Sequence, residues 1–220
     1  MVKVVVIDTG IDFFDEELSE YCKKMDGLEI FHKQDTVGHG TMVCKIIKGI
    51  CPKVEIYSIN IFGNHTFTTS KKLLMALKKV VGTDIKILNI SASTINQDYR
   101  KCFEDICKKL VSEGKIIVAA GHSYDFDNNC IPGTIDGVIG VRESFDNSVE
   151  EYIYDRDALL QMCINNYGMS LKHNLNLDDM SGTSRGCAIT TGIIANIINE
   201  NENETLGFEE IENLLIGEST

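Results

Sequence analysis

A three-layer α/β fold, with a mostly parallel central sheet and helices on both faces, is predicted by two features of the chain. Short runs rich in Val and Ile recur along it, and longer stretches with helical spacing of apolar residues separate them. Parallel strands need crossover connections of a dozen or more residues, and the alternation supplies them. The predicted strands are residues 2–7, 54–60, 86–90, 115–120 and 138–141, short runs rich in β-branched residues of the kind a helix-covered parallel sheet uses.

Helices are predicted at residues 40–49, 70–81, 97–113, 184–199 and 208–215. Within 70–81, Leu73, Leu74, Leu77, Val80 and Val81 fall on one face with lysines elsewhere, so that face belongs to the core. Between residues 144 and 179 neither period holds, and irregular strands and loops are expected, with Arg142 to Asp157 exposed. Repeats and proline-rich linkers are absent, apart from a polar segment at 199–205. At 220 residues the chain suits a single domain, residues 1–220, with one cleft.

Composition narrows the class of partner. Hydrophobic residues make up 43% and charged residues 25%, the balance of a globular chain. Lys and Arg number 21 against 33 Asp and Glu, a formal charge of -12, which argues against nucleic acid and anionic membrane as partners and would attract a basic peptide. The acids thicken at Glu200, Glu202, Glu204, Glu209, Glu210 and Glu212, where a solubilising surface is the plain explanation. Eight cysteines form no C-x-x-C pair and no metal-ligand spacing, so free thiols in a reducing compartment are expected. The short apolar run at 2–7 enters Asp8 without a signal-peptide pattern, and no stretch reaches the length of a membrane span. A cytoplasmic location is expected, with no cofactor.

Three segments carry chemistry. In Val4-Val5-Val6-Ile7-Asp8-Thr9-Gly10-Ile11-Asp12 an acid ends an apolar strand, at the carboxyl edge of a parallel sheet where active sites gather. Such an Asp also serves to cap a turn or helix. In Asp35-Thr36-Val37-Gly38-His39-Gly40-Thr41-Met42-Val43-Cys44 a histidine stands between two glycines before a helix; the glycines allow a tight turn and close approach to the imidazole. In Ser181-Gly182-Thr183-Ser184-Arg185-Gly186-Cys187-Ala188 a serine opens a helix of small residues. That position suits an N-cap, and equally a nucleophile beside free backbone N–H groups that stabilise an oxyanion.

Together these segments resemble the motifs of the subtilisin-like serine proteases (subtilases), in that family's order of Asp, His and Ser, and the resemblance runs along most of the chain. Asp8-Thr9-Gly10-Ile11, with Leu18 after Asp15-Glu16-Glu17, resembles the aspartate motif. Gly38-His39-Gly40-Thr41 resembles the histidine motif, and Ser181-Gly182-Thr183-Ser184 the nucleophile motif. Residues 54–63 resemble the strand and turn after the histidine helix, 87–93 the strand whose edge binds substrate, and 116–121 the strand leading to the oxyanion residue.

The resemblance implies a subtilisin-like fold and a serine endopeptidase acting on a peptide or protein through an acyl-enzyme. Ser184 would be the nucleophile, His39 the general base and Asp8 the residue that orients it. Substrate would add as a strand beside Ser91, Ala92 and Ser93, with Gly121 nearby. Size and expected compartment suggest maturation of a peptide precursor by removal of its leader. Relative to secreted members the chain begins at the first strand, so a minimal domain without propeptide is expected. With no D-x-D-x-D-G loop either, no obligatory metal is expected.

Departures from the family pattern bear on activity. Where subtilases carry an asparagine that helps bind the oxyanion, this chain has His122. Either an imidazole N–H replaces that donor, or the position marks a non-catalytic homologue: a peptide-binding scaffold in a homo- or hetero-oligomer with an active relative. Arg185 replaces a small residue and is expected to point into the cleft or loosen the helix start, while Lys45 replaces a glycine. Asp125 and Asp127 near the expected S1 pocket would select basic side chains, or belong to a solvated loop. Cys44 and Cys187 read as small packing residues. His32, His65 and His173 lack any interpretable partner spacing. The triplet Asp8-Thr9-Gly10 also marks aspartic proteases, but their chemistry needs two such aspartates in an all-β fold.

Overall fold

Strand β1 (Val2–Asp8) shows how the layers arise. Successive side chains of a strand point to opposite faces, so Val4 and Val6 enter one core while Val5 and Ile7 enter the other. The computed structural model describes residues 1–23, 34–65, 67–122, 129–144, 146, 148–176, 180, 182–201 and 206–219. The other strands are β2 (Cys22–Lys23), β3 (Val54–Asn60), β4 (Ile87–Ile90), β5 (Ile116–Ala120), β6 (Val138–Glu143), β7 (Tyr152–Tyr154) and β8 (Met162–Ile164). Among the described residues they form one eight-stranded sheet in the order β2-β3-β1-β4-β5-β6-β8-β7, parallel except for the β7–β8 pair.

Helices α1 (His39–Ile50), α5 (Thr183–Glu200) and α6 (Phe208–Gly217) pack Val43, Ile47, Ile189, Ile211 and Leu215 into the core on one face. Helices α2 (Ser70–Val80) and α3 (Arg100–Ser112) pack Leu73, Leu77, Phe103 and Leu110 on the other. This is the three-layer architecture that the alternation predicts. Predicted strand and helix positions agree with the observed ones to within a few residues, and the start of the 97–113 helix is a 3-10 turn at Gln97–Tyr99. No helix among the described residues is long and apolar enough to cross a membrane.

Register brings the motifs together. Ile7 pairs with Ile90, and Ile90 with Ala119. The residues that follow, Asp8, Ser91 and Ala120, therefore emerge side by side at the carboxyl edge of the sheet, the usual place for a site in a parallel fold.

The segment 144–179 departs from expectation. It contains β7, β8 and a further helix, α4 (Asn166–Lys172), and Val149, Tyr152 and Tyr154 are buried although Arg142 to Asp157 was expected to be exposed. The cover is α6: Tyr154 Oη donates to Glu212 Oε1 at 2.8 Å, and Arg156 Nε lies 3.3 Å from Glu212. Glu212 is thus buried, whereas Glu200, Glu209 and Glu210 face solvent.

Candidate active site

Asp8 is fully buried at the end of β1, and His39 is the first residue of α1. Nδ1 of His39 lies 2.8 Å from Asp8 Oδ1 and 3.0 Å from Oδ2. Because Nδ1 faces the carboxylate, Nε2 is the ring nitrogen left to serve as a base. Burial alone would push the imidazole pKa down, but the bond and charge of Asp8, with the charge of Asp35, outweigh it and leave the value above ordinary. Gly40 makes the approach of α1 to β1 feasible: a Cβ there would collide with the Gly10 carbonyl and lie 3.2 Å from Asp8 Cβ.

Ser184 is the second residue of α5 and is half-buried. Its neighbour Thr183 donates through Oγ1 to the carbonyl of Gly121 at 2.8 Å, which ties the start of α5 to the end of β5. Further into the helix, the N–H groups of Arg185 and Gly186 donate to Gly182 O. Among the described residues no acceptor engages the N–H of Thr183 or Ser184, so the positive end of the helix opens beside the hydroxyl. No hydrogen bond joins Ser184 to His39 among the described residues; catalytic bonds of this kind commonly tighten only when substrate is bound.

His122 follows Gly121 directly, so the Thr183 bond places its backbone at the same helix end. Gly121 is itself buried. Its N–H donates to Val141 O at 2.7 Å, and a Cβ would come within 2.7 Å of Leu160 Cδ1. The glycine is therefore needed for packing. Ser91, Ala92 and Ser93 continue β4 beyond its pairing, and among the described residues none exchanges a backbone hydrogen bond with them. Ala92 and Ser93, but not Ser91, line a cavity of about 320 Å³ whose other walls include Thr68, Thr69, Leu73 and Tyr99.

Other expectations are corrected. Arg185 does not point into the cleft: it is 2% exposed, donating to Ser170 Oγ at 2.5 and 3.1 Å, Met180 O at 2.5 Å and Asn176 O at 2.9 Å. A planar five-donor group can bind several carbonyls at once, so it fastens the start of α5 instead of loosening it. Lys45 pairs with Asp15 at 2.8 Å, and His65 stacks on Phe67. Cys44 and Cys187 are fully buried, as packing residues are. His32, Asp125, Asp127 and Ser181 lie outside the described residues.

Two residues escaped the sequence reading. Asn89 is buried in β4; its Oδ1 accepts from Thr191 Oγ1 at 2.9 Å and Cys187 Sγ at 3.3 Å, and its Nδ2 donates to Ser91 Oγ at 3.0 Å. It joins the Ser91 edge to the helix of Ser184. The signal was a lone amide in the apolar strand Ile87-Leu88-Asn89-Ile90. The second is Asp35, a buried acid four residues before His39.

A parallel sheet with a hydrogen-bonded Asp–His pair at its carboxyl edge and a serine at a helix N-terminus fits the class of subtilisin-like hydrolases. The Subtilase family model matches residues 1–219, and the chain belongs to that family, whose members are serine peptidases acting on peptides or proteins. It is 27% identical over 152 residues to Subtilisin-like protease SBT6.1 of Arabidopsis thaliana. That match covers 64% of this chain and spans 14% of the length of the relative. Among solved structures, a cold adapted subtilisin-like serine proteinase superposes with a TM-score of 0.76 at 18% identity, covering 98% of this chain and 81% of the other. A lanthipeptide protease gives 0.73 at 18% identity, with 97% and 78% covered. A mutant of the protease domain of PatA gives 0.73 at 18%, with 100% and 87% covered.

Proposed function

We propose that the chain is a serine endopeptidase in which Ser184, His39 and Asp8 act as a catalytic triad. The observation that carries this reading is the Asp8–His39 Nδ1 hydrogen bond at 2.8 Å, made at the sheet edge to which Thr183 anchors the start of α5. Ser184 Oγ attacks the peptide carbonyl while His39 takes its proton and then delivers it to the leaving amine; Asp8 holds the ring and stabilises the imidazolium. Water releases the acyl-enzyme by the same route. The oxyanion is held by the N–H at Ser184 and by an imidazole N–H of His122. Substrate lies extended along Ser91, Ala92 and Ser93, whose unengaged backbone groups suit an added strand.

Peptide-precursor processing is the substrate class we favour, supported by likeness in fold to a lanthipeptide protease and to the protease domain of PatA. Eight free cysteines, most of them buried, support a reducing, cytoplasmic setting. The second reading, a scaffold that holds peptide without cutting it, is favoured by one observation: the family's oxyanion asparagine is replaced by His122.

A fluorophosphonate probe separates the two. Labelling of Ser184 that disappears in Ser184→Ala and His39→Ala is the expected result, and a native chain that never labels is a scaffold. Mass spectrometry of products from a mixed peptide library then defines the preferred cleavage site.

A further inference from the structure

Asp35 is 9% exposed and belongs to no residue set assigned to the chemistry above, yet its carboxylate accepts five hydrogen bonds. Oδ1 accepts from Thr9 Oγ1 and Val37 N, both at 3.0 Å, and from Gly38 N at 2.8 Å. Oδ2 accepts from Thr41 N at 2.9 Å and Thr41 Oγ1 at 2.7 Å. Both hydroxyls extend the connection. Thr9 Oγ1 accepts from Gly40 N at 2.9 Å, and Thr41 Oγ1 from Asp12 N at 3.0 Å. One carboxylate therefore joins the segment that follows Asp8 to the first turn of α1, on both sides of His39 in sequence.

The arrangement also replaces a helix cap. Gly38, at the N-cap position of α1, has no side chain to accept from the first N–H groups. Thr9 and Asp35 take those of Gly40 and Thr41 from a distance. Burial alone would push the Asp35 carboxyl up, but the bonds from Thr41, Gly38 and Val37 outweigh it and hold the group below its ordinary value, hence ionised.

We propose that Asp35 is a positioning residue for His39: its bonds hold the imidazole against Asp8, and its charge favours the protonated ring that forms when Ser184 attacks. The catalytic consequence rests on the protease reading, but the effect on His39 does not. Other groups face this ring. Asp8 of β1 meets Nδ1, and Asp12, Asp15 and Lys45 line the adjoining cavity of about 510 Å³, where Lys45 and Asp15 offset each other. The thiols of Cys44 on α1, in contact with Cys22 and buried, and of Cys187 on α5, buried, are both pushed up and stay neutral. Asp8 and Asp35 are the charges that raise His39.

The test reads His39 itself, by NMR titration of its ring protons in a Ser184→Ala background where turnover plays no part. Asp35→Asn keeps the shape and removes the charge together with one of the two acceptor oxygens. The expected result is a His39 pKa lower by roughly half a unit to one unit; in the chain carrying Ser184, kcat should fall about tenfold with KM little changed. A folded Asp35→Asn variant whose His39 pKa stays within about 0.2 unit of the parent overturns the proposal. Should that variant fail to fold, Thr9→Val, also in the Ser184→Ala background, cuts the link to Gly40 and leaves the charge. Exchange of the His39 Nδ1–H with water should then quicken about tenfold, and unchanged exchange overturns the proposal. A parent chain that never labels with fluorophosphonate, while Asp35→Asn still lowers the His39 pKa, removes the protease reading and supports the positioning role.

Discussion

His39 and Ser184, the proposed base and nucleophile, are held in different ways. Asp8 and His39 are bonded to each other, and Asp35, Thr9 and Thr41 brace the turn that carries the ring. Ser184 is placed by its backbone alone, through the Thr183–Gly121 bond and the buried Arg185, and no hydrogen bond reaches it from His39. The contrast follows from the groups. An imidazole has two inequivalent nitrogens, and only one orientation presents Nε2 as a base. A serine hydroxyl needs only a change of χ1 rotamer to meet its partner. Hydrogen bonds are therefore concentrated around the His39 ring, while the Ser184 hydroxyl is free to change rotamer, as the proposed mechanism requires.

The most severe way to break this contrast is to remove the anchor. Asp8→Asn should lower kcat/KM on a peptide substrate about ten-thousandfold, because Nδ1 loses the acceptor that selects its tautomer. A loss below tenfold would show that the ring does not depend on Asp8. Next in size is the oxyanion side: His122→Ala should cost roughly a hundred- to a thousandfold in kcat, with His122→Asn recovering part of it. Equal rates for parent and Ala variant would remove His122 from the mechanism. Asn89→Leu sharpens the comparison on stability, since it removes the acceptor of the Thr191 hydroxyl and leaves the Cys187 thiol only its longer contacts to the carbonyls of Ile90 and Val118. A loss of about 1–3 kcal/mol in denaturant unfolding is expected, and an unchanged midpoint would show the network to be dispensable.

The smallest effect is on pH dependence, and its sign separates stability from activity. His39 binds its proton more tightly in the folded chain than in the unfolded one. Its contribution to stability is fully present below the unfolded pKa and is lost as pH rises through the raised folded value. Activity needs the neutral ring, so kcat/KM should rise across that same window. Thermal unfolding followed over pH should lose this slope in His39→Gln; a slope that persists would belong to another group.

Much of the fold was legible because local pattern and tertiary environment agree in this chain. Strand β5 sits in the middle of the sheet and is apolar throughout, and α2 shows a lysine face and a leucine face. The segment 144–179 was hard to read, because β7 and β8 are three residues each, and Tyr154 is met by Glu212 of α6, a helix more than 50 residues further along the chain. Arg185 was misread for a similar reason. A charge in a motif looks like a cleft residue until Ser170, Asn176 and Met180 are seen to wrap around it.

The sequence by itself determined the family, the order of the three motifs and the layered α/β plan, because each depends on short-range spacing that the chain displays directly. Only the tertiary structure decided which polar residues support those motifs. Asn89 stands alone in an apolar strand, Asp35 lies in a polar stretch and Glu212 in a run of acids, and the neighbours in sequence give none of them its role. Their roles follow from partners brought to them by sheet register and helix packing: a turn braced beside His39, the helix of Ser184 fastened to the Ser91 edge, and a carboxylate buried under a tyrosine. A buried polar group is tolerated only where such partners meet it, and that meeting is a property of the fold.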